Sequence, residues 1–332
     1  MSADAMKAAA RARSNIALVK YWGKAPGKLN VPAVGSISIT LDALWSDTEL
    51  IFDPAFAADE FMLDGKHRPD QLARISACLD ILRDLAGIGA RAAVVSRNNF
   101  PTGAGLASSA SGFAALVSAA ARALGLELAP RELSIVARRG SGSAARSIFG
   151  GFVEMRAGSA ADGRDSYAEP LLAAAEWPLD VVVAVTATGE KEVASGSGMM
   201  RCAQSSPFYP AWLETHPADM ALCREAIRSR DFEALAEIAE ASCFKMHAAA
   251  MATRPALIYW NGVTLECIGR IRQLRKSGVP VFFTVDAGPQ VKAVCAPGAR
   301  GAVREALAEL PGVVRIIESS LGPGVETREC NS

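Results

Sequence analysis

The chain has 332 residues, of which 50% are hydrophobic and 21% are charged. At about 150 residues per domain, this length predicts two domains with enough apolar material for a sizeable core. Lysine and arginine number 35, as do aspartate and glutamate, so the formal net charge is zero. No overall field therefore draws the chain toward nucleic acid or a membrane surface, and neither is expected as a partner.

Cysteine usage and the apolar stretches place the chain in a broad class. The seven cysteines are scattered, with no CxxC pair and no histidine at a zinc-ligand spacing. This predicts neither a disulfide framework nor a metal site built by the protein, and it favours a reducing cytoplasm. Residues 1–14 lack an apolar stretch of signal-peptide length and are expected to be a frayed start. Polar residues interrupt the apolar stretch 110–126, which predicts a core helix rather than a membrane span.

In chain order, apolar alternation first predicts a strand-rich start with segments at 15–22, 36–41 and 48–52. Helical spacing of leucine and isoleucine then predicts a helix over 70–85. The next predicted elements are a strand at 92–96, a loop at 98–105, helices at 110–126 and 131–139, and strands at 151–155 and 179–185. The segment 156–170 between the last two is predicted to be a surface hairpin or loop.

The C-terminal half is predicted to be mostly helical. The predicted helices cover 206–215, 217–228, 232–252, 256–276 and 299–310, with strands at 281–284 and 313–318. Because strands recur among helices, the fold class is α/β in the broad sense that includes α+β. The predicted domains are 1–180 and 181–332, and no internal repeat is present.

A loop of small residues, PTGAGLASSA at 101–110, lies between a predicted strand and a predicted helix. Small residues let backbone N–H groups approach phosphate oxygens, and the start of the helix adds partial positive charge. The loop is not a Walker motif, and the pattern also suits a plain tight turn with either serine as the helix N-cap. The candidate ATP-binding residues are Pro101, Gly103, Ala104, Gly105, Leu106, Ala107, Ser108 and Ser109.

Three further features could carry chemistry. The sequence GSGSAAR at 140–146 ends in Arg146, whose planar guanidinium suits a carboxylate or phosphate, although an arginine there also suits a plain surface position. Asp286 ends an apolar strand before a glycine turn, which suits either a functional acid or a turn former. Lys20 has apolar neighbours and needs a partner carboxylate, for which Asp286 is the candidate. His247, within a predicted helix, is expected to pack, and no Ser–His–Asp triad can be assembled.

Taken together, these segments closely resemble the mevalonate diphosphate decarboxylase family of the GHMP kinase superfamily. The resemblance rests on NIALVKYWGK at 15–24, NNFPTGAGLASSASGF at 98–113, ARRGSGSAARS at 137–147 and DAGP at 286–289, in that order. It extends to SGSGM at 195–199 and KMHA at 245–248. It implies a two-domain fold with an S5-domain-2-like N-terminal half, a ferredoxin-like C-terminal half and a cleft between them. It also implies a homodimer.

The activity implied is ATP-dependent decarboxylation of mevalonate 5-diphosphate in isoprenoid biosynthesis. By the resemblance, Asp286 orients and deprotonates the tertiary C3 hydroxyl, Lys20 lies beside it, and Asn15 and Arg146 bind the C1 carboxylate. Magnesium is expected to accompany ATP near Ser108. The residues matching substrate positions, including those for the distal phosphates, are Tyr21, Trp22, Lys24, Ser141, Ser143 and Ser195.

Two departures from the family pattern bear on the substrate. Ala25 and Pro26 stand where the family has a basic residue and an acid, and residues 190–192 read Glu-Lys-Glu where lysines are common. The pattern predicts thinner positive charge around the distal phosphates, which leaves mevalonate 5-phosphate open as the substrate. A kinase that phosphorylates C3 without decarboxylation is the other alternative. A nucleotide-binding scaffold with a dead site would be expected to lack Asp286 or Lys20, and both are present.

Overall fold

The computed structural model describes residues 6–27, 29–100, 105–189 and 191–329. Strands within these ranges are β1 (Met6–Val19), β2 (Ser36–Asp53), β3 (Glu60–Leu63), β4 (Lys66–His67), β5 (Arg91–Asn98), β6 (Phe152–Met155), β7 (Ala168–Leu172), β8 (Asp180–Val185), β9 (Val281–Val285), β10 (Val291–Cys295), β11 (Arg315–Ser320) and β12 (Glu326–Arg328). Helices are α1 (Pro69–Ala86), α2 (Ser108–Ala123), α3 (Pro130–Gly140), α4 (Ser195–Ser205), α5 (Tyr209–Ser229), α6 (Phe232–Met251), α7 (Gly262–Lys276) and α8 (Arg300–Ala308). Short 3-10 turns cover Gly142–Ile148, Ala174–Glu176 and Pro297–Ala299.

Two β-sheets organise the chain, and the mixed α/β class is confirmed. Strands β1 to β7 and β12 form an eight-stranded sheet, and β8 to β11 form a four-stranded antiparallel sheet in the order β11-β8-β10-β9. The last strand, β12, returns to pair with β1. The division into domains at residue 180 stays a prediction, with β12 as the strand that crosses it.

Small residues position helix α2 against the larger sheet. The alanines of β1 at positions 8–10 and 12 are fully buried, as are most of the alanines of α2. Small side chains on both surfaces let the helix and the sheet approach closely, and dense packing fixes their relative position. The N-terminus of α2 is therefore held at a defined place above the sheet.

The smaller sheet is buried on both faces, and its strands β8, β9 and β10 are apolar apart from Asp180, Thr284 and Lys292. One face joins a cluster that also contains Ile16 and Leu18 of β1 and residues of α5 and α6. The other face packs on α7 and α8. Because one apolar cluster spans both sheets, the halves are packed into contact, and charged groups from each can meet at their junction.

Several sequence predictions were wrong in detail. Residues 6–14 belong to β1 rather than to a frayed start. Helix α5 is continuous through Pro217, where two helices were predicted. Helix α7 begins at Gly262, not near residue 256, because the Asn261 side chain caps it. The predicted hairpin or loop after β6 is confirmed, since β7 pairs with β6.

The elements that were not predicted include β3, β4, α4, β10 and β12. Ser195 to Gly198 have low helix propensity, yet they form the first turn of α4. A Cβ at Gly198 would lie 2.3 Å from the Tyr259 hydroxyl oxygen, so tertiary packing requires glycine there. None of the helices in the described ranges combines the length and apolar character needed to cross a bilayer.

Candidate active site

A cleft of about 950 Å³ lies between the two halves. It brings together most of the residues selected from the sequence, from both ends of the chain. Those lining it are Asn15, Lys20, Tyr21, Trp22, Lys24, Gly105, Ala107, Ser108, Ser109, Ser141, Ser143, Arg146, Ser195 and Asp286. Pro101, Gly103 and Ala104 lie outside the described residues. Leu106 is buried in the core instead.

Asp286 lies directly after β9, in a turn closed by a hydrogen bond from the Gly288 amide to the Asp286 carbonyl, at 2.7 Å. The Nζ of Lys20 is 2.7 Å from Oδ1 of Asp286, as the sequence predicted. The Nζ of Lys292 is 3.2 Å from Oδ2. Burial raises the pKa of Asp286, but the two ammonium groups outweigh it and hold the pKa well below its usual range. The carboxylate is ionised at neutral pH.

Lys292 was missed by the sequence analysis. It lies on β10, which was itself not predicted, and it is the single charged residue of that apolar strand. A lysine inside an apolar strand must find a buried partner, because an unpaired buried ammonium is costly. The sequence analysis used this argument to predict a partner carboxylate for Lys20. The same argument, applied to Lys292, would have selected that residue as well.

Arg146 and Asn15 form a buried polar group at one end of the cleft. The guanidinium donates to the hydroxyls of Ser38 at 2.9 Å and Ser36 at 2.5 Å, and to Oδ1 of Asn15 at 3.0 Å. Asn15 in turn donates to the Ser147 hydroxyl at 2.7 Å. All of these Arg146 acceptors are neutral, and burial lowers the pKa of Arg146 to about 10, so it stays charged at neutral pH. A buried cation held by neutral groups suits an anionic ligand, such as a carboxylate.

The phosphate-loop candidates lie at the start of α2. Within the described part, the Gly105 carbonyl oxygen accepts a hydrogen bond from the Nζ of Lys292 at 3.0 Å. The Leu106 carbonyl oxygen accepts one from the Ser14 hydroxyl at 2.7 Å. Gly105 has a φ of +81°, and a Cβ there would lie 3.0 Å from the Gly288 Cα, so both conformation and space favour glycine. Ala107, the N-cap, provides no side-chain cap for the first-turn N–H groups. Those groups are suited to phosphate oxygens.

The part of the cleft near Lys24 and Ser195 contains several basic residues. Lys24 donates to Oδ1 of Asn30 at 2.7 Å, and Lys191 donates to the Ser195 hydroxyl at 2.7 Å. Burial lowers the pKa of Lys191 to about 8, with Asp286 acting in the opposite direction. Arg74 of α1 and Arg139 of α3 also line the cleft. These two arginines add positive charge to the cleft, while thinner charge than in the family pattern stays a prediction.

The surroundings of Trp22 and His247 indicate that both side chains have packing roles. Trp22 is 1% exposed and packs edge-on against Tyr259, so it forms a wall of the cleft. His247 is buried, and its Nε2 lies 3.1 Å from the Val285 carbonyl oxygen, which confirms the packing role expected for it. Burial lowers the pKa of His247 to about 3.

A magnesium ion that accompanies a nucleotide would find few protein ligands here. Among the described residues, no group of three or more His, Cys, Asp or Glu side chains is placed to hold a metal. The hydroxyls of Ser108 and Ser109 line the cleft at the start of α2. These oxygens fit a hard cation whose other ligands are phosphate oxygens and water.

Comparison with known proteins gives consistent matches. A family model described as diphosphomevalonate decarboxylase-like N-terminal domain matches residues 12–168. A second, described as mevalonate 5-diphosphate decarboxylase C-terminal domain, matches residues 181–308. A diphosphomevalonate decarboxylase of Gibberella zeae is 39% identical, over 85% of this chain and 79% of that protein.

Solved structures agree with these matches. A chain described as MDDEF in complex with MVAPP, AMPPCP and magnesium is 39% identical, with a TM-score of 0.90, and the match covers 98% of this chain and 99% of that one. Mevalonate diphosphate decarboxylase from Staphylococcus aureus is 37% identical, with a TM-score of 0.92 and coverage of 97% and 98%. The two-domain architecture expected from the sequence is confirmed.

Proposed function

The chain belongs to the diphosphomevalonate decarboxylase family, whose members are ATP-dependent decarboxylases, and we propose that its cleft converts mevalonate 5-diphosphate to isopentenyl diphosphate. ATP is consumed, and ADP, phosphate and CO2 are the other products. The observation that carries the proposal is the Asp286 carboxylate between two ammonium groups, in one cleft with the Arg146–Asn15 pair and the start of α2.

Asp286 acts on the C3 hydroxyl. A tertiary alcohol is a poor leaving group, so its oxygen is first phosphorylated by ATP. Asp286 accepts the hydrogen bond of the hydroxyl and directs the oxygen toward the γ-phosphorus. Because the low pKa of Asp286 makes its carboxylate a weak base, the hydroxyl proton leaves late, as the new O–P bond forms. Lys20 holds the carboxylate in place and stabilises charge on the transferred phosphoryl group.

Arg146 and Asn15 bind the C1 carboxylate. Loss of the C3 phosphate develops positive charge at C3, and the electrons of the breaking C1–C2 bond form the C2–C3 double bond as CO2 leaves. The guanidinium, fixed by Ser36, Ser38 and Asn15, orients the carboxylate so that this bond aligns with the developing empty orbital. Orientation, rather than acid–base chemistry, is the contribution of these residues.

The nucleotide phosphates lie on the segment from Gly105 to Ser109. The uncapped N–H groups of α2 bind phosphate oxygens, and the helix dipole adds partial positive charge. Ser108 is the residue we place nearest the magnesium ion. Magnesium, when bound with ATP, neutralises phosphate charge and makes ADP a better leaving group.

The distal diphosphate lies among Tyr21, Lys24, Ser141, Ser143 and Ser195. Around the whole cleft, seven basic side chains face two acidic ones among the described lining residues. Arg74, Arg139 and Lys191 are among these basic residues. This surplus favours the diphosphate over the monophosphate, because the diphosphate carries more negative charge.

The test measures ATP-dependent CO2 release from mevalonate 5-diphosphate and, in parallel, from mevalonate 5-phosphate. Product analysis also follows any 3-phosphorylated species. Release from the diphosphate supports the proposal, whereas release from the monophosphate alone changes the substrate. Formation of ADP with a stable 3-phosphorylated product and no CO2 would identify a kinase instead.

We further propose that the protein is a homodimer in a reducing cytoplasm. The resemblance to the family supports the first statement, and the buried free thiols of the six described cysteines are compatible with the second. Sedimentation equilibrium tests the assembly, since a monomer mass at micromolar concentration would contradict it. Fractionation of the source cells tests the location.

A further inference from the structure

Among the described residues, Lys292 is the one charged group in contact with Asp286 that no motif contains. It lies on β10 opposite Thr284 of β9. Alternation along β10 sends its neighbours Val291 and Ala293 into the cluster beneath α7 and α8, and Lys292 to the opposite face, toward the first half of the chain. The side chain is 1% exposed, so its ammonium group depends on protein partners.

Those partners link two parts of the site. The Nζ of Lys292 donates to Oδ2 of Asp286 at 3.2 Å and to the carbonyl oxygen of Gly105 at 3.0 Å. Lys20 has the corresponding arrangement, with Oδ1 of Asp286 at 2.7 Å and the carbonyl oxygen of Ala17 at 2.9 Å. Each carboxylate oxygen therefore has its own ammonium group, and each ammonium group is anchored to a backbone carbonyl of the first half.

The two anchors have different consequences. Lys20 connects Asp286 to β1, which is part of the rigid sheet. Lys292 connects it to Gly105, which leads into the first turn of α2, and the Asp286 turn approaches that residue closely at Gly288. A displacement of the carboxylate would therefore strain the backbone at the start of α2. A displacement of that backbone would likewise move the carboxylate.

We propose that Lys292 is a positioning residue that sets the Asp286 carboxylate at a fixed place relative to Gly105 and the start of α2, an inference that rests on the proposed function. Fixed separation matters because phosphoryl transfer requires the C3 oxygen and the γ-phosphorus to meet in line. Lys292 itself touches neither substrate, since it lies behind the carboxylate and is absent from the cleft lining.

Other charged and titratable groups also face Asp286, and all of them remain in a Lys292 variant. They come from β1, the 3-10 turn after α3, the segment before α4, and α6: Lys20, Arg146, Lys191, Cys243 and His247. Lys20 is the one among them in direct ion-pair contact. Removing the Lys292 charge therefore leaves Asp286 ionised at neutral pH but raises its pKa.

The experiment compares three variants of the full chain. Lys292→Met removes the charge and both hydrogen bonds, and Lys292→Gln removes the charge but keeps an N–H donor for Gly105. Val294→Ala is the matched control, because Val294 is equally buried on the same strand and faces the same side without touching Asp286. Thermal melting first establishes that each variant is folded.

Three quantities are then measured: kcat at neutral pH, the KM for the mevalonate substrate, and the Kd of a non-hydrolysable ATP analogue. For Lys292→Met we expect kcat to fall by about 10- to 100-fold, this KM to stay within about threefold of the wild type, and Kd to rise by about fivefold. Lys292→Gln is expected to lower kcat as well and keep the Kd close to that of the wild type. Val294→Ala is expected to stay within about threefold of the wild type in kcat and Kd.

Two results would overturn the proposal. One is a Lys292→Met enzyme with wild-type kcat, and the other is a Val294→Ala enzyme with the same losses, which would make the effect one of core packing. If Lys292→Met does not fold, the kcat of Lys292→Gln decides. A wild-type protein that releases no CO2 contradicts the proposed function instead, and the analogue Kd of the variants still tests the link to Gly105.

Discussion

Lys20 and Asp286 form an ion pair across 266 positions of sequence, with Nζ 2.7 Å from Oδ1. The lysine side chain is 1% exposed and the aspartate side chain 23% exposed, so the carboxylate is partly open to the cleft while its partner is almost fully enclosed. The pair joins the first strand of one sheet to the turn after β9 of the other. Its geometry therefore depends on how the two halves of the chain are packed.

Replacing Asp286 by asparagine tests the central role of this carboxylate. The substitution removes the charge and little volume, so we expect the fold and ATP binding to be largely retained and kcat to fall by about a thousandfold or more. CO2 release and binding of an ATP analogue are the measurements. Asp70→Asn is the matched control, because Asp70 also lines the cleft but pairs with Arg68. A turnover rate near that of the wild type in Asp286→Asn would refute the assigned role.

Replacing Arg146 by alanine tests the carboxylate site. Loss of a buried, charge-assisted contact of this kind costs about 2–3 kcal/mol, which corresponds to a decrease of about 30- to 150-fold in kcat/KM for the mevalonate substrate. The affinity for an ATP analogue is expected to change much less. Arg146→Lys keeps the charge without the planar fork and is expected to fall between alanine and wild type. An unchanged kcat/KM for the mevalonate substrate in Arg146→Ala would remove Arg146 from the site.

Replacing Ser108 by alanine tests the phosphate loop. Because Ser108 is the first residue of α2 and lines the cleft, we expect the KM for ATP to rise by about tenfold, with little change in affinity for the mevalonate substrate. Ser118→Ala is the control, since Ser118 lies in the same helix but is buried in the core. Steady-state kinetics with each substrate varied separately is the measurement. A change confined to the mevalonate substrate would contradict the assignment.

The buried His247 predicts a pH dependence of stability. Its pKa is lowered to about 3 in the folded protein, mainly by burial, against about 6.5 when unfolded. The unfolded state therefore binds more protons below pH 6.5, and stability is lost as pH falls toward the folded pKa. Between pH 7 and pH 5 this group contributes a loss of about 2 kcal/mol in the free energy of unfolding.

Urea unfolding at the two pH values measures this loss. His247→Gln is expected to be less stable than the wild type at pH 7, because packing against Trp260 is lost, but to lose less stability between pH 7 and pH 5. His67→Gln, at an exposed position of β4, is the control and is expected to keep the wild-type pH dependence. An unchanged pH dependence in His247→Gln would contradict the interpretation.

The site could be predicted from sequence where its residues lie in short, contiguous motifs. A local sequence pattern was enough to indicate the chemistry of three parts of the site. They are the segment from Asn15 to Lys24, the small-residue loop before α2, and Arg146. The need of Lys20 for a counter-charge also led correctly to Asp286. Long periodic elements such as α1 and α6 were predicted for the same reason, since their apolar spacing is a local property.

Tertiary structure alone decided which distant charges meet. Arg74 and Arg139 line the cleft because the beginning of α1 and the end of α3 lie there, and the sequence analysis selected neither residue. The place of Lys292 follows from the register that pairs it with Thr284, and a shift of one residue would have turned it to the opposite face of the sheet. Likewise, α4 forms despite a first turn of serine and glycine, because Trp22 and Tyr259 pack against Gly198. The sequence by itself determined the chemistry of the motifs, whereas strand register and packing determined the electrostatic surroundings in which that chemistry operates.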